Sequence, residues 1–141
     1  MAFENIRNKL KSKLEGISSI QQVEDYPTEE FNGFPVVVVE SARLEADFET
    51  TTENKRTYVF ILHLMQELRS VGAKKARRIL EGVMDDIIET LDQDQLLEGI
   101  SLPDNETMII SFPVVSEVGE NEKYSIARLE VRVVVSFDTN T

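Results

Sequence analysis

The chain has 141 residues, a length that fits one domain able to bury roughly two thirds of its unfolded surface. Its 26 acidic residues against 15 Lys and Arg give a formal charge of -11, which opposes binding to DNA phosphates or anionic lipid. Because the sequence contains no cysteine, it excludes a disulfide framework, a thiolate nucleophile and a sulfur-ligated metal site.

The N-terminal segment has the periodicity of a short amphipathic helix that ends near Gly16. The apolar residues that recur every three or four positions are Phe3, Ile6, Leu10, Leu14 and Ile17. An acid at position 4 and the lack of an apolar run argue against a signal peptide or a membrane span. We therefore expect a protein that stays in the cytoplasm in which it is made.

Two strongly apolar strand candidates bracket a polar segment. Four valines at positions 36–39 predict a strand buried on both faces. Residues 40–55 then contain five acids and two bases, which fits either a strand that leaves the core or an exposed arm. From Tyr58 to Met65 apolar residues occupy both faces, which predicts a central strand with layers above and below it.

The most regular pattern in the chain is a helical stripe from position 73 to 91. This predicted helix begins with Lys74, Lys75, Arg77 and Arg78 and ends in acids, the reverse of what the helix dipole favours. Two interpretations stay open. Either the small electrostatic cost is tolerated, or the basic end meets an acidic surface of a neighbouring copy or of another protein.

The C-terminal third predicts two more strands. Residues 108–115 form a strand candidate in which Pro113 indicates an edge or a bulge, and residues 117–123 read as a turn. Residues 127–137 alternate between apolar and polar, which predicts a strand with one buried face and one solvent-exposed face. The order helix, strand, strand, helix, strand, strand favours one α+β domain over residues 1–141. We expect a mostly antiparallel sheet of four or more strands, packed by a long helix and a short N-terminal helix.

No constellation of residues in the sequence favours catalysis. His63 is the only histidine and lies in the most apolar strand, where a neutral core or interface histidine is the better interpretation. Asp92 and Asp94 resemble the start of a calcium loop, but Leu96 and Leu97 occupy the positions that need an oxygen ligand and a glycine. We therefore predict no catalytic, cofactor-binding or metal-binding residues and no enzymatic activity.

Several segments resemble the tail terminator proteins of long-tailed bacteriophages. They are the opening Met-Ala-Phe-Glu-Asn-Ile-Arg, the turns at 25–27 and 31–35, the strand entry at 51–60 and the long helix that follows. The resemblance implies a small virion subunit, made in the host cytoplasm, that forms a ring of six copies at the junction of tail and head. Such a ring would cap the tail tube protein, contact the head connector protein and let DNA pass through it.

The resemblance and the residues together give a set of interface candidates. We expect the arm at about 43–56 to reach a neighbouring subunit or the tail tube, and an acidic lumen to release DNA without specific binding. A head-to-tail connector or other neck protein is the first alternative, and a small-ligand or enzymatic α+β domain is the second. The predicted contact residues are Arg43, Glu45, Asp47, Phe48, Glu49, Arg56, Lys74, Lys75, Arg77 and Arg78.

Overall fold

The computed structural model describes residues 2–25, 31–47 and 53–138. This part of the chain contains two helices and five strands, so the predicted α+β class is confirmed. In chain order the elements are α1 (Ala2–Glu15), β1 (Gln22–Glu24), β2 (Val36–Asp47), β3 (Glu53–Glu67), α2 (Ala73–Asp92), β4 (Glu106–Glu120) and β5 (Tyr124–Asp138).

The described strands form a single mixed sheet in the order β1-β2-β3-β5-β4. Strands β2, β3, β5 and β4 pair antiparallel to one another, and only the short β1 pairs parallel, with Val36–Val38 of β2. The strand predicted to be central, β3, is indeed the middle strand. Pro113 lies in β4 at one edge of the sheet, as predicted, in register with Val131 of β5.

Both helices pack on one face of the sheet. The apolar stripe of α1, with Ile6, Leu10 and Leu14, joins the stripe of α2 in one buried cluster. Phe60 and Leu62 of β3 are fully buried beneath it, and Phe3 of α1 meets the ring of Phe60 edge-on at 5.8 Å. The helices are therefore held mainly by apolar burial against the middle of the sheet.

The opposite face of the sheet carries no helix in the described part of the chain, so the prediction of a layer on each side of β3 was wrong. Val59 is buried on this face, but Ile61, His63 and Met65 are only partly covered. Val59 lies between Arg43 of β2 and Arg132 of β5 in the ladder. Apolar residues on both faces thus marked the centre of the sheet without requiring a second layer.

Two other segments differ from the sequence-based prediction. Residues 117–120 belong to β4 rather than to a turn, and the turn is confined to residues 121–123. The Asn121 side chain accepts hydrogen bonds at 2.8 Å from the backbone N–H groups of Lys123 and Tyr124, which lets so short a connection close. Residues 43–47 and 53–56 are also strand, so the described ends of the predicted arm continue the β2–β3 ladder.

Candidate assembly interface

A closed ring of four ion pairs lies on the helix-free face of the sheet. Arg43 on β2 contacts Glu45 (Nε to Oε1, 2.9 Å) and Glu130 on β5 (Nη2 to Oε1, 3.3 Å). Arg132 completes the ring with Glu130 (Nε to Oε2, 2.7 Å) and Glu45 (Nη1 to Oε2, 3.4 Å). We call these four residues the charge ring. It links β2 to β5 across β3, over the buried Val59.

The alternating charges of the ring shift the pKa values of Arg43 and Glu45 in the directions that favour their charged forms. The hydrogen bond from Arg43 holds the pKa of Glu45 below its ordinary value, and the same bond to Glu45 raises the pKa of Arg43. Because Arg43 and Glu45 are exposed, solvent screens these interactions and their contribution to stability is small. The ring therefore orders the surface more than it stabilises the fold.

The outer edge of β2 is largely open. On the edge away from β3, the short β1 pairs only with Val36–Val38, and no other described strand pairs with that edge of β2. Leu44, in this open portion, leaves 46 % of its surface exposed. An unpaired strand edge with an exposed apolar side chain is suited to strand addition by another chain.

Arg56, another predicted contact residue, belongs to a separate cluster on the helix-covered side of the sheet. Its guanidinium lies 3.8 Å above the ring of Phe137 and 3.2 Å from Oε1 of Glu106. The same carboxylate oxygen accepts a hydrogen bond of 2.5 Å from the Tyr58 hydroxyl. Burial, reinforced by the Glu106 carboxylate, raises the pKa of Tyr58 to about 12. Arg56 therefore joins β3 to β4 and β5 within the subunit.

The four bases at the start of α2 form a second exposed surface, which we call the basic end. Lys74, Lys75, Arg77 and Arg78 are all exposed, and none forms an ion pair with another described residue. Their helix has no acid in its first turn, and its N-cap residue, Gly72, supplies no side-chain hydrogen bond. The helix dipole therefore adds to their positive potential.

The remaining predicted residues are placed as follows. Asp47 ends β2, and Phe48 and Glu49 lie outside the described residues. His63 pairs with Glu40 at 2.7 Å (Nε2 to Oε2) on the helix-free face. Among the described residues, no group of three or more His, Asp or Glu side chains is arranged to hold a metal ion. None of the helices described is both long and apolar enough to cross a membrane.

Comparison with solved structures finds a fold match in a virus-like particle. The chain aligns with a chain of the structure described as "Virion of native gene transfer agent (GTA) particle", with a TM-score of 0.56 and 10 % sequence identity. The alignment covers 94 % of each chain. This likeness shows a shared fold. No protein-family profile matches the sequence, and no curated protein matches it.

The residues that complete these surfaces were missed from sequence. Glu130 and Arg132 were recognised only as part of the solvent-exposed face of β5. Yet an acid followed by a base two positions later is the reverse of the order of Arg43 and Glu45 on β2. That mirrored spacing was the available signal. Glu106 was assigned to no element, because its burial depends on β4 lying beside β5.

Proposed function

We propose that this protein is a structural subunit of a phage-like virion. The observation that carries the proposal is the shared fold with a chain of a gene transfer agent virion, which extends over 94 % of both chains. Small folds host many functions, so the match alone supports the class of particle and leaves the position within it to other arguments.

Within such a particle we assign the chain to a ring at the junction of tail and head, where it ends the tail tube and meets the head connector. The resemblance to tail terminator proteins supports this position. A ring needs two different complementary surfaces on each copy. The open β2 edge and the basic end of α2 are two exposed surfaces among the described residues that are available to neighbouring subunits.

The negative net charge of the chain favours a ring through which DNA passes without binding. Six copies would carry six times the formal charge of -11, and acids facing a channel would repel the phosphate backbone. DNA would then move through the ring without being held. A head-to-tail connector is the alternative that shares these properties, and it differs in which neighbouring protein it binds.

Electron microscopy of the purified protein tests the ring, and a growth assay tests its position. We expect six-fold rings in negative stain, and tail tubes assembled from the cognate tube protein should stop growing when the protein is added. Binding to the head connector with no effect on tube length would favour the connector role instead. A monomer at every concentration, bound to neither neighbour, would overturn the proposal.

The arm can be tested separately. Deleting residues 48–52 removes the part of the arm between the described ends of β2 and β3. If the arm reaches a neighbour, this deletion should weaken ring formation or tube capping while far-ultraviolet circular dichroism shows the fold unchanged. Rings and capping equal to wild type would exclude a contact role for these five residues.

A further inference from the structure

The two ends of α2 carry opposite exposed charges. The helix has 20 residues, which corresponds to about 30 Å between the basic end and its C-terminus. Its last turn contains no base, and the connection from Asp92 to Thr107 contains five acids and no base. One molecule therefore presents a positive surface and a negative surface that cannot reach each other.

A groove lies beside the negative end of α2. It has a volume of about 350 Å³, at the small end of the ~300–1,000 Å³ typical of ligand sites, and so suits a side chain better than a large ligand. We call it the acidic groove. Its lining combines apolar walls with two acids and includes Leu96, Ile100, Leu102, Asp104, Glu106 and Met108.

The carboxylates of this region are not all satisfied within the subunit. Lys13 neutralises Asp94 through an ion pair of 2.6 Å, but Glu98 and Asp104 are exposed and form no ion pair with any described residue. The Glu106 side chain is only 1 % exposed, and its Oε2 atom is buried with no hydrogen-bond partner. The other oxygen of this carboxylate, Oε1, is held within the subunit by Tyr58 and Arg56, so Oε2 is the part of Glu106 that is left without a donor among the described residues.

The lining fits the side chain of a lysine or arginine. Leu96, which is 58 % exposed, and the other apolar walls can cover an aliphatic stem, and the exposed Asp104 carboxylate can pair with the charged head. The basic end of α2 supplies four such side chains, none of which forms an ion pair with another described residue. Its charge and chemistry complement the acidic groove.

We propose that the basic end of α2 in one copy docks into the acidic groove of the next copy. This inference rests on the proposed ring and names the surfaces that would build it. Each copy would offer one basic end and one acidic groove, so the contact is head-to-tail and repeats around a closed ring. It also accounts for charges that oppose the helix dipole, because their partner is the neighbouring copy.

Two neutralised variants test the contact. The first replaces the basic end (Lys74→Gln, Lys75→Gln, Arg77→Gln and Arg78→Gln). The second replaces Asp104, an exposed acid that lines the groove, and Glu98, an exposed acid next to the lining residue Gly99 (Glu98→Gln and Asp104→Asn). We expect each variant alone to lose the ring and remain monomeric by native mass spectrometry. Mixed together they should form a 1:1 dimer that grows no further, because one intact surface of each kind remains.

A matched control and a crosslink complete the test. Neutralising two acids on the helix-free face of the sheet, Glu40→Gln and Glu117→Gln, removes the same amount of charge on the side opposite α2 and should leave the rings intact. Since the chain contains no cysteine, Ala73→Cys with Asn105→Cys places one thiol at each surface. The double variant should give a ladder of disulfide-linked oligomers, and neither single variant should give more than a dimer.

The outcomes separate this contact from the ring itself. Rings that persist in both neutralised variants, or the absence of a mixed dimer, would overturn the docking and leave the ring proposal standing. A wild-type protein that never forms rings and never crosslinks would overturn both.

Discussion

The Tyr58 hydroxyl donates a hydrogen bond of 2.5 Å to the Glu106 carboxylate, and this bond ties the middle strand of the sheet to the edge strand β4. Tyr58 is 4 % exposed and Glu106 is 6 % exposed. The two residues do not pair within a ladder, because β5 lies between their strands. Their bond is therefore a side-chain link that spans one intervening strand.

Removing the hydroxyl should destabilise the protein. Tyr58→Phe leaves Glu106 with Arg56 as its only described partner. Because a buried carboxylate then lacks one hydrogen-bond donor, the free energy of unfolding should fall by about 1–3 kcal/mol. Urea unfolding followed by circular dichroism measures the change in the free energy of unfolding. Tyr124→Phe is the matched control, since no described residue accepts a hydrogen bond from its hydroxyl, and it should change stability by less than ~0.5 kcal/mol. Equal effects of the two substitutions would contradict the link.

Tyr58 should lose its phenolic proton at a higher pH than an ordinary tyrosine. Because burial and the Glu106 carboxylate raise the pKa of Tyr58 to about 12, its neutral form is stabilised in the folded protein. The associated stability is fully present below pH 10, the ordinary tyrosine value, and is lost as the pH rises through about 12. Absorbance titration should show one tyrosine that ionises at a higher pH than the others, and this transition should be absent in Tyr58→Phe. A normal titration of all the tyrosines would exclude the buried hydrogen bond.

Replacing Glu106 separates the two causes of this shift. In Glu106→Gln the carboxylate charge is gone but Tyr58 stays buried, so its pKa should fall only part of the way toward 10. A return to the ordinary value would mean that the carboxylate rather than burial dominates.

The charge ring makes a prediction for acid pH. The pKa of Glu45 is lowered chiefly by its hydrogen bond from Arg43, so Arg43→Gln should raise it toward the ordinary value of 4.5. The stability contributed by Glu45 is present above 4.5 and lost as the pH falls through its lowered pKa. Wild type and variant should therefore converge in stability at low pH. Side-chain carboxyl titration by NMR measures the shift.

Arg128→Gln provides the control for that titration. It removes the Arg128 to Glu117 ion pair of 2.6 Å on the same face of the sheet, outside the charge ring. Glu45 should titrate as in wild type. If Arg43→Gln also leaves Glu45 unchanged, then the charge ring does not persist in solution.

The sequence predicted the helices and the central strand better than it predicted the charge ring and the Glu106 cluster, for a physical reason. The apolar periodicities at 73–91 and 58–65 report which residues are buried, and burial fixes helices and a central strand. Arg43 and Glu130, in contrast, are 87 positions apart, and they meet only because β3 separates β2 from β5. Strand order follows from packing of the whole chain, which local spacing does not encode. The mirrored spacing could suggest a pairing of charges, but which strands bring Arg43 to Glu130, and what buries Glu106, depended on the strand order.

The basic end of α2 should show opposite effects on the subunit and on its assembly. Lys74→Glu and Lys75→Glu place acids in the first turn of α2, where each favourable charge contributes ~0.3–1 kcal/mol, so the isolated subunit should become more stable. The ring should become weaker, because the proposed partner surface is acidic. Unfolding at a concentration too low for assembly measures the first effect, and mass photometry the second. Lys123→Glu reverses one charge in the β4–β5 turn, outside any helix, and should not stabilise the subunit. A loss of subunit stability in Lys74→Glu would instead show that these bases make stabilising contacts within their own chain.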